Sequence, residues 1–308
     1  MKLQEIRWRR LPGVLFFVFL FLVSCAPGEN EFRFIFMTDL HLQGEGRALE
    51  GFRVAAQEIN RLQPDFVIAG GDLIMDAMGV PFERADSLYT LFLKSMQLIK
   101  APVHYVLGNH EVFGIAGISG VSPDHPAYGE KLFLKRFNLP RTYRRFRYSN
   151  WHFFLLDGVG YDPQGGQRGY RGYVDSLQMK WIRAQLEEIP TQDPVVIALH
   201  IPFYTVFRQL KENSLAGNRP ADVINNANEV LALFRGHNLK LVLAGHLHWT
   251  EEIKVRGVHF INVGAVSGAW WSGSYLGTPE GFGVFDVKGD TYNWRYHPYG
   301  WHAPQKKE

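Results

Sequence analysis

The chain has 308 residues, with 33 Lys+Arg against 30 Asp+Glu, 12 histidines and a single cysteine, Cys25. A lone cysteine excludes a disulfide framework and thiolate metal ligation. The near balance of charge excludes the basic footprint of a nucleic-acid binder.

The first ten residues, MKLQEIRWRR, are basic, an apolar run follows from Leu11 to Ser24, and Cys25 comes next. That is the layout of an export signal. The run is short for a membrane span of about 20 residues, and Pro12 and Gly13 sit near its start. Leu22-Val23-Ser24-Cys25 is similar to the bacterial lipobox, whose cysteine is lipidated and becomes the first mature residue. The expectation is a signal peptide over 1–24, lipidation of Cys25, and a short tether over 25–31. The protein would then be exported and lipid-anchored, facing the periplasm or cell surface, with Ala26 favouring an outer membrane. Removing the leader leaves 29 basic and 29 acidic residues, so the apparent basicity belongs largely to it.

Beyond the tether, short apolar runs recur: FRFIFM, DFVIA, PVHYVL, HFFLL, PVVIAL and LKLVLA. Each has the length and composition of a buried strand. Phe52, Ala55, Ile59 and Leu62 share one helical face, and Leu88, Leu91, Phe92 and Ile99 another,. Strand, helix, strand, helix, strand is a parallel βαβαβ start. Ile182, Leu186 and Ile189 mark a third helix, and 222–234 a fourth. Toward the C-terminus, EIKV with VHFINV and FGVFDV with TYNWRY read as two hairpins,. The predicted class is α/β, a four-layer αββα sandwich of two mixed β-sheets flanked by helices, the second sheet mostly antiparallel. It spans 32–298, with a tail over 299–308.

Five of the runs end alike: FIFMTDLH, DFVIAGGD, PVHYVLGNH, PVVIALH and LVLAGHLH. Each delivers Asp, Asn or His where the carboxyl ends of strands in open α/β sheets bind ligands. In extended chain, residues i and i+2 point the same way, so Asp39 with His41, and His246 with His248, would each form a two-pronged claw. Glycines at 70, 71, 108 and 245 sit beside these claws, where backbone turns sharply or approaches closely,. Carboxylate, imidazole and one amide suit Zn, Fe or Mn. Asp39, His41, Asp72, Asn109, His200, His246 and His248 are too many for one tetrahedral ion. Two divalent or trivalent ions sharing a carboxylate, roughly 3.5 to 4 Å apart, would use them all and suit displacement at phosphorus by a bridging hydroxide. His104, His125, His152, His237, His259, His297 and His302 lack such company and read as structural or exposed.

Asp39-x-His41, Gly71-Asp72, Gly108-Asn109-His110-Glu111, His200 and Gly245-His246-x-His248 resemble the five ordered motifs of the calcineurin-like metallophosphoesterases. By that likeness Asp39, His41, Asp72 and His248 would hold one metal, and Asp72, Asn109, His200 and His246 the other, with Asp72 bridging. His110 would stabilise or protonate the leaving oxygen. The resemblance implies hydrolysis of phosphate mono- or diesters, in the manner of the cyclic nucleotide phosphodiesterase and broad phosphoesterase branch. Glu111 stands where the family motif ends in Asp, which leaves its role open. Asp76 is the candidate support for His110, or else a turn cap.

Three connections, 114–129, 158–172 and 264–281, are expected to overhang the site. The middle one lacks the GK[ST] ending of a P-loop, and the HxHxDH of a metallo-β-lactamase relative is absent. Arg168, Arg171, Trp270 and Trp271 are candidate substrate contacts, followed by Tyr161, Tyr204 and Phe207. The rival reading is a non-catalytic, metal-containing surface binding protein on the same scaffold.

Overall fold

The computed structural model describes residues 31–162 and 169–303, so Cys25, the leader and Arg168 lie outside the described residues. The chain runs β1 (Glu31–Met37), α1 (Ala48–Leu62), β2 (Phe66–Ala69), α2 (Phe82–Met96), β3 (Val103–Tyr105), α3 (Lys131–Phe137), β4 (Arg144–Tyr148) and β5 (Trp151–Leu155). It continues through β6 (Val159–Tyr161), β7 (Tyr170–Gly172), α4 (Ser176–Glu187), β8 (Pro194–Ala198), α5 (Phe207–Lys211) and α6 (Ala227–Leu233). Last come β9 (Asn238–Ala244), β10 (Glu251–Val255), β11 (Val258–Asn262), β12 (Gly281–Lys288) and β13 (Thr291–Pro298).

Two mixed sheets form, with strand orders β13-β12-β1-β2-β3 and β10-β11-β9-β8-β5-β4. Alternation along β1 explains how they pack. Phe32, Phe34 and Phe36 point between the sheets, meeting Trp151, Phe153 and Leu155 of β5 and Leu241 and Leu243 of β9. Phe34 stacks on Phe285 at 4.7 Å and meets Phe153 edge-on at 5.4 Å, so one ring ties both sheets together. Ile35 and Met37, pointing the other way, join the core that Phe52, Ala55 and Ile59 of α1 complete. Across the molecule, Phe154 of β5 packs on Trp181 of α4 and on Phe234 just after α6.

Three findings differ from the sequence expectation. Three of the five pairings in the second sheet are parallel, β11 with β9, β9 with β8 and β8 with β5. The reason is that the two C-terminal hairpins part company: β10-β11 extends the second sheet, while β12 crosses over to pair with β1. The fourth helix begins at Ala227 rather than near residue 222. Asn225 donates to the carbonyls of Gly172, Pro220 and Val223, and Asn226 to that of Val174. Such side-chain bonds hold the preceding segment out of the helix. Finally, Tyr299 and Trp301 of the expected tail are buried, with Trp301 packed on Trp271. Among the described residues no helix is long and apolar enough to cross a membrane.

Candidate metal centre

Because β1, β2 and β3 are parallel neighbours, as are β8 and β9, their carboxyl ends share one rim. The loops there stitch to one another: Asp39 N donates to Gly71 O at 3.0 Å, His41 N to Asp72 O at 2.9 Å, and Gly245 N to His200 O at 2.9 Å. The result is two separate groups of converging ligand atoms, Asp39 with His41 and His248, and Asp72 with His200 and His246, with a third, His41 with Asp72 and His110, that overlaps both. Asp72 Oδ2 lies 3.1 Å from His200 Nε2 and 3.7 Å from His41 Nε2, one nitrogen from each group.

The free oxygens are chosen by local bonding. Asp39 Oδ2 accepts from Thr38 Oγ1 and His246 N, both at 2.9 Å, while Oδ1, which takes only the longer share of the His246 N–H at 3.2 Å, faces His248 Nε2 at 3.3 Å. Asp72 Oδ1 accepts from His110 N at 3.0 Å, leaving Oδ2. Carbonyls choose the nitrogens in the same way, since a carbonyl only accepts. His200 Nδ1 donates to Gly70 O at 2.9 Å, His248 Nδ1 to Gly268 O at 2.6 Å, and His246 Nε2 to Ala221 O at 3.0 Å. The lone pairs of His200 Nε2, His248 Nε2 and His246 Nδ1 are thereby turned inward, as a second shell does for metal ligands.

These atoms fit two cations. His41 Nε2 faces His248 Nε2 at 3.0 Å, and His246 Nδ1 faces His200 Nε2 at 3.3 Å, contacts between nitrogens whose lone pairs need a cation or proton between them. Asn109 Oδ1 is buried without a hydrogen-bond partner at the same rim. Burial alone would raise both carboxyls, but His248 beside Asp39 and His200 beside Asp72 hold them far below the usual range. Burial and then neighbouring His110 hold His41 well down, and burial with His200 brings His246 to about 4. His200 goes up to about 9, where Asp72 and Asp39 outweigh burial, and His248 goes up as well, where Asp39 outweighs burial. Two ionised carboxylates and two neutral imidazoles are thus ready for a cation at neutral pH.

The claws do not arise from strand alternation. Asp39, His41, Asp72, His246 and His248 all have positive φ, between 44° and 73°. Such backbone costs on the order of 1–3 kcal/mol per residue and persists where surroundings over-determine it. Close approach explains two glycines: a Cβ at Gly245 would meet Asp39 Oδ2 at 2.4 Å, and one at Gly108 would meet Asp72 N at 2.3 Å.

Comparison with known proteins agrees with this chemistry. The family described as calcineurin-like phosphoesterase matches residues 32–250, and the one described as its C terminal matches 261–307. The chain belongs to the calcineurin-like phosphoesterases. These are hydrolases of phosphoric esters. A probable cyclic nucleotide phosphodiesterase of Xenorhabdus bovienii is 24% identical over 82% of this chain and 95% of its own length. The 3',5'-cyclic adenosine monophosphate phosphodiesterase of Haemophilus influenzae is 25% identical over 69% and 68%. Among solved structures, a dimetal phosphatase from Danio rerio shares the fold with TM-score 0.61 at 17% identity, covering 87% of this chain and 96% of its own.

In this phosphoesterase, His41, Asp72, Asn109, His110, His246 and His248 border a cleft of about 280 Å³, with Trp270 and Phe207 on its wall. Asp39 and His200 lie fully buried beneath. His110 Nδ1 is hydrogen-bonded to the Met75 carbonyl, and its Nε2 sits 3.8 Å from Asp72 Oδ2. Asp76 plays no part in this: its carboxylate accepts from Met78 N and Gly79 N and closes its own turn. Glu111, left open by the motif, anchors the Asp72 loop by accepting from Asp72 N, Leu73 N, Ile74 N and Gly108 N.

Four candidate contacts are absent from the cleft. Trp271 is buried, its Nε1 donating to Leu40 O at 2.9 Å, and it locks the ligand loop rather than a substrate. Arg171 stacks over Tyr173 at 4.8 Å, because strand alternation turns it away while its neighbour Tyr170 borders the cleft. Tyr161 and Tyr204 also lie elsewhere. Sequence reading missed Arg208, Lys211, Asp222 and Tyr275, which line the cleft from outside every motif.

Proposed function

We propose that this chain hydrolyses phosphate mono- or diesters at a centre for two cations, held by Asp39, His41, Asp72 and His248 on one side and by Asp72, Asn109, His200 and His246 on the other. The observation that carries the reading is Asp72 Oδ2 placed between His41 and His200, so that one carboxylate serves both ligand groups. Cations bound there would polarise the ester and acidify water. The protein's own groups do the rest. His110, whose Nδ1 is committed to the Met75 carbonyl, presents Nε2 to the cleft and donates a proton to the leaving oxygen,. Arg208 is bound bidentately by Asp222, at 2.7 and 2.9 Å, which neutralises it and leaves the ligand groups as the attraction for phosphate. The names of the two relatives support a diester as one substrate type.

The test is to strip the protein, reload it with Mn, Fe or Zn, count bound ions, and assay aryl phosphate mono- and diesters beside Asp72→Asn. About two ions per chain with turnover, both lowered in the variant, is the expected result. No bound metal, or two ions with no turnover of any ester, would sink the reading. The leader supports a second element of the proposal, export and lipid attachment through Cys25. Labelling of cells with a lipid precursor should mark the chain, and Cys25→Ser should abolish the mark; equal labelling of both would refute it.

A further inference from the structure

Among the described residues two Lys or Arg side chains reach the cleft, and they differ in what holds them. Arg208 is spent on Asp222 and Glu212. Lys211 forms no ion pair with any described residue; its ammonium donates to Tyr275 Oη at 2.8 Å and sits 5.0 Å from the Phe207 ring centroid and 5.4 Å from that of Tyr275. An ammonium has three donors, so this aromatic seat uses one and fixes the position of the rest. Cation–π contact adds to that hold, and ordering the long side chain in advance removes a cost of binding.

Trp270 stands beside it. Its ring is 4.3 Å from that of His248 and 5.9 Å from that of Tyr275. Trp270 is 41% exposed, and it and Trp271 have consecutive positive φ values of 49° and 67°. Left-handed backbone at two bulky residues in succession is an outlier. Burial of Trp271, bonded to the Leu40 and His41 carbonyls, accounts for one of the pair. Trp270 gains little burial from it, and what the conformation does achieve is to hold an indole at the cleft against a metal-ligand histidine. Tyr275 spans the gap, its ring 5.8 Å from that of His248 and its hydroxyl on Lys211. The order outward from the ligand groups is therefore His248, then the aromatic pair, then a positive charge about one ring further out.

We propose that Lys211 and Trp270 select phosphate diesters whose second ester group, the one that stays on phosphorus, carries a planar ring and, beyond it, a second anionic group. This rests on the phosphoesterase reading of the same centre and narrows its substrate class. A cyclic or simple diester has one negative charge, at the reacting phosphorus, and leaves Lys211 without a counter-charge. An ester bearing a further carboxylate or phosphate-type group satisfies both sites at once.

The experiment uses the metal-loaded full chain and 4-nitrophenyl diesters that share the leaving group. Their second substituent is methyl, phenyl, carboxyphenyl or phosphonophenyl. Wild type is expected to favour the two anionic esters over the phenyl ester by about tenfold in kcat/KM, the scale of one charge-assisted hydrogen bond. Lys211→Met should erase that preference while leaving the phenyl ester within about twofold and the metal count unchanged, and Lys211→Arg should restore part of it. Trp270→Ala should raise KM for the ring-bearing esters and spare the methyl ester. A preference for the phosphonate alone would identify a phosphate-type group as the second anion, and a preference for both would make it any compact anion. No anion preference in wild type, or an equal loss on every ester in Lys211→Met, overturns the inference and leaves the two-cation reading standing. No turnover of any ester would instead remove that reading and this one with it.

Discussion

Four backbone N–H groups point at the Glu111 carboxylate, those of Asp72 and Gly108 at one oxygen and those of Leu73 and Ile74 at the other. Burial, and then the Asp72 charge, push this carboxyl above its ordinary range, and the donors limit the rise. Glutamine has the same shape but only one acceptor oxygen, so its amide nitrogen would face two donors. Glu111→Gln is therefore expected to lose about 2–4 kcal/mol, from two buried N–H donors left without an acceptor. Because those bonds hold the Asp72 loop, cation affinity should fall about 10- to 100-fold. Denaturant unfolding and a Mn titration of the variant check both numbers, and wild-type values in each would show Glu111 to be a bystander. The seven candidate ligands were legible in the sequence because each closes an apolar run. The work of Glu111 was not, since its partners lie at 72–74 and a motif gives a residue's identity without its neighbour. The same limit hid the left-handed backbone at Asp39 and His248: Asp39 and His41 do converge in one ligand group, but His246 and His248 go to two, and what aims them is a turn conformation that no alternation pattern encodes.

At the scale of elements, α1 was readable from Phe52, Ala55, Ile59 and Leu62, yet its link to the site passes through a residue with no side chain. A Cβ at Gly51 would lie 2.3 Å from Trp271 Cζ3. Helix propensity favours alanine over glycine by at most about 0.5–1 kcal/mol. Overpacking a tight core contact costs about 1–3 kcal/mol and wins. Gly51→Ala should thus lower Tm, and by pushing Trp271 off the Leu40 and His41 carbonyls it should also weaken binding of the cation held by His41. Unchanged Tm and an unchanged metal count would mean that the helix shifts freely and that the contact positions nothing. Partition of the strands follows the same logic. Buried runs showed that both faces of each strand were covered, but not which edge each hairpin would join. Only the register of Val284 against Ile35 shows that β12 belongs beside β1.

Across the whole molecule, the segment that carries Tyr170 to the cleft is tied to the rest by a pair of carboxyls that no motif contained. Glu130, just before α3, is hydrogen-bonded to Asp157, just after β5. Burial, and then the Asp157 charge, push Glu130 from 4.5 up to about 8. Burial likewise raises Asp157 from 3.8 to about 6, and Asp175 and Thr142 face the same pair. In the unfolded chain both are ionised near neutral pH, whereas the folded chain keeps a proton on Glu130 until about pH 8. Between those limits the unfolded state binds fewer protons than the native one, so stability falls as pH rises and levels off above the folded value. Glutamine at 130 keeps a donor for Asp157 and has no proton to lose. Relative to wild type, Glu130→Gln should therefore gain stability on going from pH 6 to 8.5. One proton over two pH units sets a ceiling of about 2.7 kcal/mol, and coupling with partial solvent screening brings the expected gain to about 1 kcal/mol. The ligand histidines titrate in both chains and cancel in the difference, so urea unfolding of the pair at pH 6, 7 and 8.5 isolates Glu130. A difference independent of pH over that range would show that the two carboxyls do not share a proton.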